Sequence, residues 1–148
     1  MGKKDRESKK QDWLVYVHPD ATEISLGEMR KVGEIRGKLI KDDINFLLEQ
    51  HRERTIIIDD DTDSSIIDPH LPKPKDIGKL TLIGSWQKDC VTSQALSLVK
   101  GGYGDVLKPD RDCIIPGRYA SHNRLLVSDI CEQFPNSKHI FRTLGFDE

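Results

Sequence analysis

The chain has few cysteines, few aromatic residues and no long apolar segment, and each shortage argues against a class of protein. Its three cysteines among 148 residues show no C-x-x-C spacing, which argues against a disulfide framework and a structural zinc site. No run approaches the roughly 20 apolar residues of a membrane span, and the first residues lack the apolar core of a signal peptide. We therefore expect a cytoplasmic protein with reduced thiols and no membrane contact.

Charge of one sign is also missing, apart from one short segment. The net charge of −2 gives no general attraction to nucleic acid or to anionic lipid. Residues 1–11 carry five positive and two negative side chains and no apolar residue after Met1. Such a segment cannot contribute to a core, so we predict a disordered tail over 1–11 and a single domain over 12–148. We expect no nucleic-acid contact from the tail, because short charged termini are usually only solvated.

Apolar segments of strand and helix type alternate along the rest of the chain. Three runs rich in β-branched residues predict strands at Trp13–Val17, Arg54–Asp59 and Leu80–Gly84. A capping box of Ser25 and Glu28 predicts a helix start, and one or two helices fill the space before the second strand. Further predicted elements are a helix over Cys90–Lys100, a strand over Asp105–Leu107, a helix over His122–Phe134 and an edge strand over Lys138–Phe141.

This alternation predicts an α/β fold, a three-layer sandwich with a mostly parallel, Rossmann-like sheet. In such folds ligands bind at the carboxyl ends of the strands. Three polar clusters follow the predicted strands, at His18–Asp20, Asp59–Asp63 and Ser85–Cys90. The sequence therefore predicts that these clusters share one edge of the sheet.

Cys90 is the first candidate for chemistry, because it opens a predicted helix directly after a strand. The helix dipole and the unpaired amides of a first turn favour a thiolate, so this position predicts a lowered pKa. A half-buried structural thiol is the alternative, since free cysteine is often buried. We assign Cys113 and Cys131 to packing for the same reason.

The segment around Cys90 resembles the nucleophile segment of the isochorismatase-like cysteine hydrolases, a family that includes nicotinamidases. The strand ending at Gly84 is followed by Asp89-Cys90-Val91, then by Ala95-Leu96 and by Gly101-Gly102-Tyr103. In that family a glycine ends the strand and a Cys-Val pair starts a helix bearing Ala-Leu. The match extends over roughly Leu80–Phe141, where His122 and Leu126 fit the following helix. The resemblance implies the same α/β architecture, a homo-oligomer or protein partner, and no cofactor.

The resemblance also implies a catalytic triad for hydrolysis of an amide or related C–N bond in a small-molecule substrate. Cys90 corresponds to the nucleophile. His18 stands where the family has its aspartate, which leaves Asp20 as the acid/base, and Lys73 or Lys75 as the third member. Trp86 and His18 would then contact the substrate. The short connection over Ser64–Gly78 favours the alternative, a catalytically inactive domain of this fold that serves as an interaction or assembly module.

The aspartates after the second strand suggest one further alternative. Asp59 and Asp61 have the spacing of the first motif of haloacid-dehalogenase-type phosphatases, and clustered carboxylates suit Mg²⁺. A solvated loop is the competing interpretation.

Overall fold

Four parallel strands in the order β2-β1-β3-β4 form the central sheet of the computed structural model, which describes residues 10–117 and 123–146. The strands are β1 (Gln11–Val17), β2 (Thr55–Ile58), β3 (Ile77–Ser85) and β4 (Leu107–Ile115). The helices are α1 (Pro19–Lys31), α2 (Ile35–Gln50), α3 (Thr92–Lys100), α4 (Arg124–Gln133) and α5 (Lys138–Thr143). No helix in the described ranges is long and apolar enough to cross a membrane.

Side chains of β1 alternate between two apolar cores, which is why its run of buried residues is continuous. Val15 and Val17 pack into one core, and Leu14 and Tyr16 into the other. Helices α1 and α2 cover the Leu14 face through Leu26 and Ile44, and α3, α4 and α5 cover the opposite face. This is the three-layer α/β sandwich with a parallel sheet that the sequence predicts.

Two predicted elements differ in the structure. Helix α1 begins at Pro19 rather than after Ser25, so Ser25 and Glu28 lie inside it. The segment Lys138–Phe141, predicted as an edge strand, is helical and belongs to α5. Its adjacent residues Ile140 and Phe141 are both buried in the core on the α3 side of the sheet. Successive side chains of a strand point to opposite faces, whereas neighbouring residues of a helix can pack into the same core.

The two helices expected between the first strands are separate. Gly33 has a φ of 76° and follows the end of α1, and α2 starts two residues later. Of the predicted short strand at Asp105–Leu107 only Leu107 is extended, as the first residue of β4, which continues to Ile115. Most of the predicted tail lies outside the described residues, and Gln11 is already the first residue of β1.

Candidate functional site

The carboxyl ends of β1, β2 and β3 bring the three polar clusters to one edge of the sheet. Val17 pairs with Ile58 of β2 on one side and with Gly84 of β3 on the other. His18 therefore lies between the segments that begin at Asp59 and Ser85. We call this group, His18–Asp20, Asp59–Asp63 and Ser85–Cys90, the carboxyl edge.

Gly84 allows β1 and β3 to approach closely just before the carboxyl edge. Its φ is 120°, and a Cβ atom there would lie 2.0 Å from the carbonyl oxygen of Val17. Only glycine is compatible with both the backbone conformation and this contact. The next peptide bond, between Ser85 and Trp86, is cis.

A buried pair of hydroxyl groups joins the first turn of α1 to the end of β3. Thr22 Oγ1 donates to the carbonyl oxygen of His18 over 3.0 Å and lies 2.6 Å from Ser85 Oγ. Because the proton of Thr22 is already used, Ser85 donates to Thr22. Ser85 is fully buried, so its hydroxyl joins the end of β3 to α1 and is not available to a ligand.

The aspartates of the β2 segment have structural partners. The Asp60 carboxylate accepts hydrogen bonds from the amides of Asp20 (3.2 Å) and Ala21 (3.1 Å), and so caps the positive end of α1. Asp63 accepts from the amide and hydroxyl of Ser65, which lowers the pKa of its carboxyl. Within the described ranges no three His, Cys, Asp or Glu side chains converge on a possible metal position. The suggested Mg²⁺ site at Asp59 and Asp61 thus gains no support.

Cys90 lies in a π-helical turn, Gln87–Val91, immediately before α3. The amide of Val91 donates to the carbonyl oxygen of Trp86 over 3.1 Å, and Thr92 Oγ1 donates to the carbonyl of Gln87. The thiol is half-buried. The position at a strand-to-helix turn is the one that the sequence predicts.

The prediction of a lowered pKa for Cys90 is wrong. Burial raises the pKa of the thiol, and the neighbouring carboxylates of Asp89 and Asp60 raise it further. Hydrogen bonds from the Ser64 side chain and the Trp86 backbone favour the thiolate but do not overcome these effects. Desolvation and negative charge outweigh the helix dipole at this position.

Lys73 and Lys75 are at the opposite edge of the sheet from Cys90. They belong to the turn before β3, where Pro74–Asp76 forms one turn of 3-10 helix. Strand β3 is nine residues long, and at about 3.3 Å per residue its amino end, near the lysines, is roughly 25 Å from its carboxyl end, near Cys90. The structure therefore does not bring either lysine to the thiol.

Hydrogen bonds from α3 and from the turn after it fix the path of the connection between β2 and β3. Gln94 donates to the carbonyl oxygen of Ser64, Ser97 donates to that of Ser65, and Tyr103 donates to that of Pro72. The connection thus runs from the carboxyl edge to the amino edge beside the helix. The connection is too short to return to Cys90 after this.

The remaining predicted site residues do lie at the carboxyl edge. His18 is 9% exposed, and its Nε2 atom is buried with no hydrogen-bond partner among the described residues. Asp20 is exposed in the first turn of α1, while Trp86 is half-buried and packs against the Leu14 core. His122, which the resemblance places on the following helix, is outside the described residues.

Sequence reasoning missed two residues that support the cysteine turn. Ser64 forms a hydrogen bond with the thiol of Cys90, from a segment 26 positions earlier in the chain. Asn123 is buried at the start of α4 and donates to the carbonyl oxygens of Asp89 (3.2 Å) and Lys88 (3.4 Å). An asparagine directly before a helix is a recognisable capping signal, but its actual acceptors lie in another element.

Comparisons of this chain with family models, with curated proteins and with solved structures found no match.

Proposed function

We propose that this chain is a catalytically inactive domain of isochorismatase-like type, with a role in interaction or assembly. The observation that supports it is the environment of Cys90, whose thiol is half-buried beside two carboxylates and has a raised pKa. A cysteine nucleophile acts as the thiolate, and neighbouring cations or a general base normally supply that form. Here the carboxylates of Asp89 and Asp60 disfavour the thiolate of Cys90.

The lysine position strengthens this interpretation. Hydrolysis with a Cys-Asp-Lys set requires all three groups together, because such residues act as a unit. The two lysines assigned from the sequence, Lys73 and Lys75, lie before the amino end of β3, whereas Cys90 follows its carboxyl end. Because one fold can host unrelated functions, a domain with this architecture need not keep the family's chemistry.

The experiment is the pH dependence of alkylation at Cys90, followed by mass spectrometry of the labelled peptide. We expect a midpoint above the ordinary thiol value of about 8.5. In Asp89→Asn the midpoint should fall, because one of the opposing charges is removed. Asp105→Asn is the matched control, since Asp105 is exposed at the other edge of the sheet, before β4. A wild-type midpoint below about 7 would contradict the proposal.

A second candidate, the cysteine hydrolase itself, is favoured by one observation. His18 occupies the position of the family's aspartate, and its buried Nε2 atom has no partner among the described residues. An imidazole there is a candidate general base for the Cys90 thiol. The test is release of amine or ammonia from a panel of small amides by the wild type, Cys90→Ser and His18→Gln. Turnover that both substitutions abolish would establish this function, and absence of turnover across the panel would reject it for those substrates.

A further inference from the structure

The residues that follow α5 lie against the turn that carries Cys90. We call Leu144–Phe146 the strap and Gln87–Val91 the cysteine turn. Gln87 Nε2 donates to the carbonyl oxygen of Leu144 over 2.9 Å, across 57 positions of sequence. The strap and the cysteine turn are therefore joined by a specific hydrogen bond between distant parts of the chain.

The other two strap residues bring the contact closer. A Cβ atom at Gly145 would lie 2.8 Å from Gln87 Nε2 and 2.9 Å from Lys88 Cε, so a side chain there would push both groups away. The Lys88 ammonium lies 5.6 Å from the centre of the Phe146 ring, which is a cation–π distance. The Phe146 ring also packs, partly buried, against the core on the α3 side of the sheet. Two adjacent side chains of the cysteine turn thus rest on the strap.

The cysteine turn takes much of its support from elsewhere in the chain. Trp86, the residue before the turn, makes no side-chain capping hydrogen bond in the described structure. The carbonyl oxygens of Lys88 and Asp89 accept hydrogen bonds from Asn123, just before α4. A single helical turn is unfavourable on its own, because few hydrogen bonds offset the ordering of its residues. The order of the turn therefore depends on the contacts that distant residues make with it.

The outer part of the strap has few contacts to hold it. Gly145 and Phe146 are half-buried, and the Phe146 amide donates to the carbonyl oxygen of Phe141 over 2.9 Å. Segments with few buried contacts open locally at a small fraction of the free energy that unfolds the whole domain. Release of the strap is therefore an easier event than global unfolding.

We propose that the strap controls access to Cys90, whose half-buried thiol becomes fully accessible when the strap leaves the cysteine turn. Opening removes the contacts of Gln87 and Lys88 together, because the strap residues that hold them are consecutive. The turn then loses order and exposes the thiol to solvent. The inference concerns access to the thiol and does not rest on the proposed function.

Alkylation of the full chain with iodoacetamide at one pH tests this proposal, with mass spectrometry following each labelled cysteine peptide over time. Phe146→Ala removes the aromatic ring from Lys88 and from the core, so Cys90 should be labelled about tenfold faster than in the wild type. Gly145→Ala should also speed the labelling of Cys90, because the added methyl group displaces the side chains that rest on the strap.

Ile44→Val is the matched control, because it loosens the opposite face of the sheet. Ile44 and Cys113 are both fully buried in that core, so loss of one methyl group should speed the labelling of Cys113 several-fold. The labelling rate of Cys90 should not change, because opening of the strap leaves this core intact.

Two outcomes would overturn the proposal. One is a Cys90 rate that neither Phe146→Ala nor Gly145→Ala changes. The other is a Cys90 rate that rises in Ile44→Val by the same factor as the Cys113 rate, which would mean that the reagent reaches Cys90 only through unfolding of the whole domain. The proposed function fails separately, through a low pH midpoint for alkylation of the wild type, and that result would leave the ratios of rates at one pH unaffected.

Discussion

Replacement of Gly84 by alanine tests the close approach of β1 and β3 that forms the carboxyl edge. The added Cβ would lie 2.0 Å from the carbonyl oxygen of Val17 and 2.7 Å from its amide nitrogen. These are backbone atoms of the central strand, so no side-chain rotation relieves the contact. The φ of 120° adds conformational strain of about 1–3 kcal/mol for a residue with a Cβ.

We expect Gly84→Ala to lower the free energy of unfolding by about 2–6 kcal/mol, since overpacking in a core costs about 1–3 kcal/mol on top of the strain. With a urea m-value of about 2 kcal/mol/M, the midpoint should fall by roughly 2 M. Equilibrium urea denaturation followed by circular dichroism measures this shift.

Gly27→Ala is the matched control, because it adds the same methyl group in the opposite circumstances. Gly27 is inside α1, and a Cβ there meets nothing within 4 Å. Alanine should therefore stabilise the protein by about 0.5–1 kcal/mol through helix propensity. A Gly84→Ala midpoint within experimental error of the wild type would refute the close approach, and with it the path of the chain into the cysteine turn.

Three further predictions concern the contacts around the sheet. Asp60→Ala should destabilise the protein by about 1 kcal/mol in the same denaturation assay, because it removes the cap of α1, whereas Asp61→Ala should have no measurable effect. Thr22→Val should lower the free energy of unfolding by about 1–3 kcal/mol, because it leaves the buried Ser85 hydroxyl without an acceptor. The double variant with Ser85→Ala should recover most of that loss. Additive effects of the two substitutions would contradict the hydrogen bond between Thr22 and Ser85. Burial raises the pKa of Cys113 to about 12, so the unfolded chain loses the thiol proton at a lower pH than the folded chain does. The free energy of unfolding should therefore fall as the pH rises above about 9. Cys113→Ala should reduce the slope of the free energy of unfolding against pH by at most about 1.4 kcal/mol per pH unit, and an unchanged slope would contradict the raised pKa.

The strands and the layer order could be predicted because burial on both faces leaves a direct mark on the sequence. Runs such as Trp13–Val17 and Leu80–Gly84 are apolar at successive positions, which excludes a solvated face and favours a covered parallel sheet. The gathering of His18, Asp59 and Cys90 at one edge then follows from parallel strand direction alone.

The site could be predicted less well, because its properties depend on partners distant in sequence. The local pattern at Cys90 indicates a helix start and hence a lowered pKa. The actual pKa is raised by burial and by carboxylates, one of them, Asp60, thirty positions earlier. Lys73 and Lys75 are near the cysteine in sequence, yet the length of β3 separates them from it.

The sequence by itself determined the periodicity of the elements, the small charged segment at residues 1–11, and the cysteine turn with its glycine at position 84. Tertiary structure decided where α1 begins, since its cap is Asp60 from another segment, and it decided that Lys138–Phe141 is helical. It also determined that β2 and β4 are the two outer strands of the described sheet. The physical reason is the separation along the chain of the residues that interact. The periodicity of apolar residues can be read from neighbouring positions, whereas capping, desolvation and strand pairing depend on which distant groups the fold brings together.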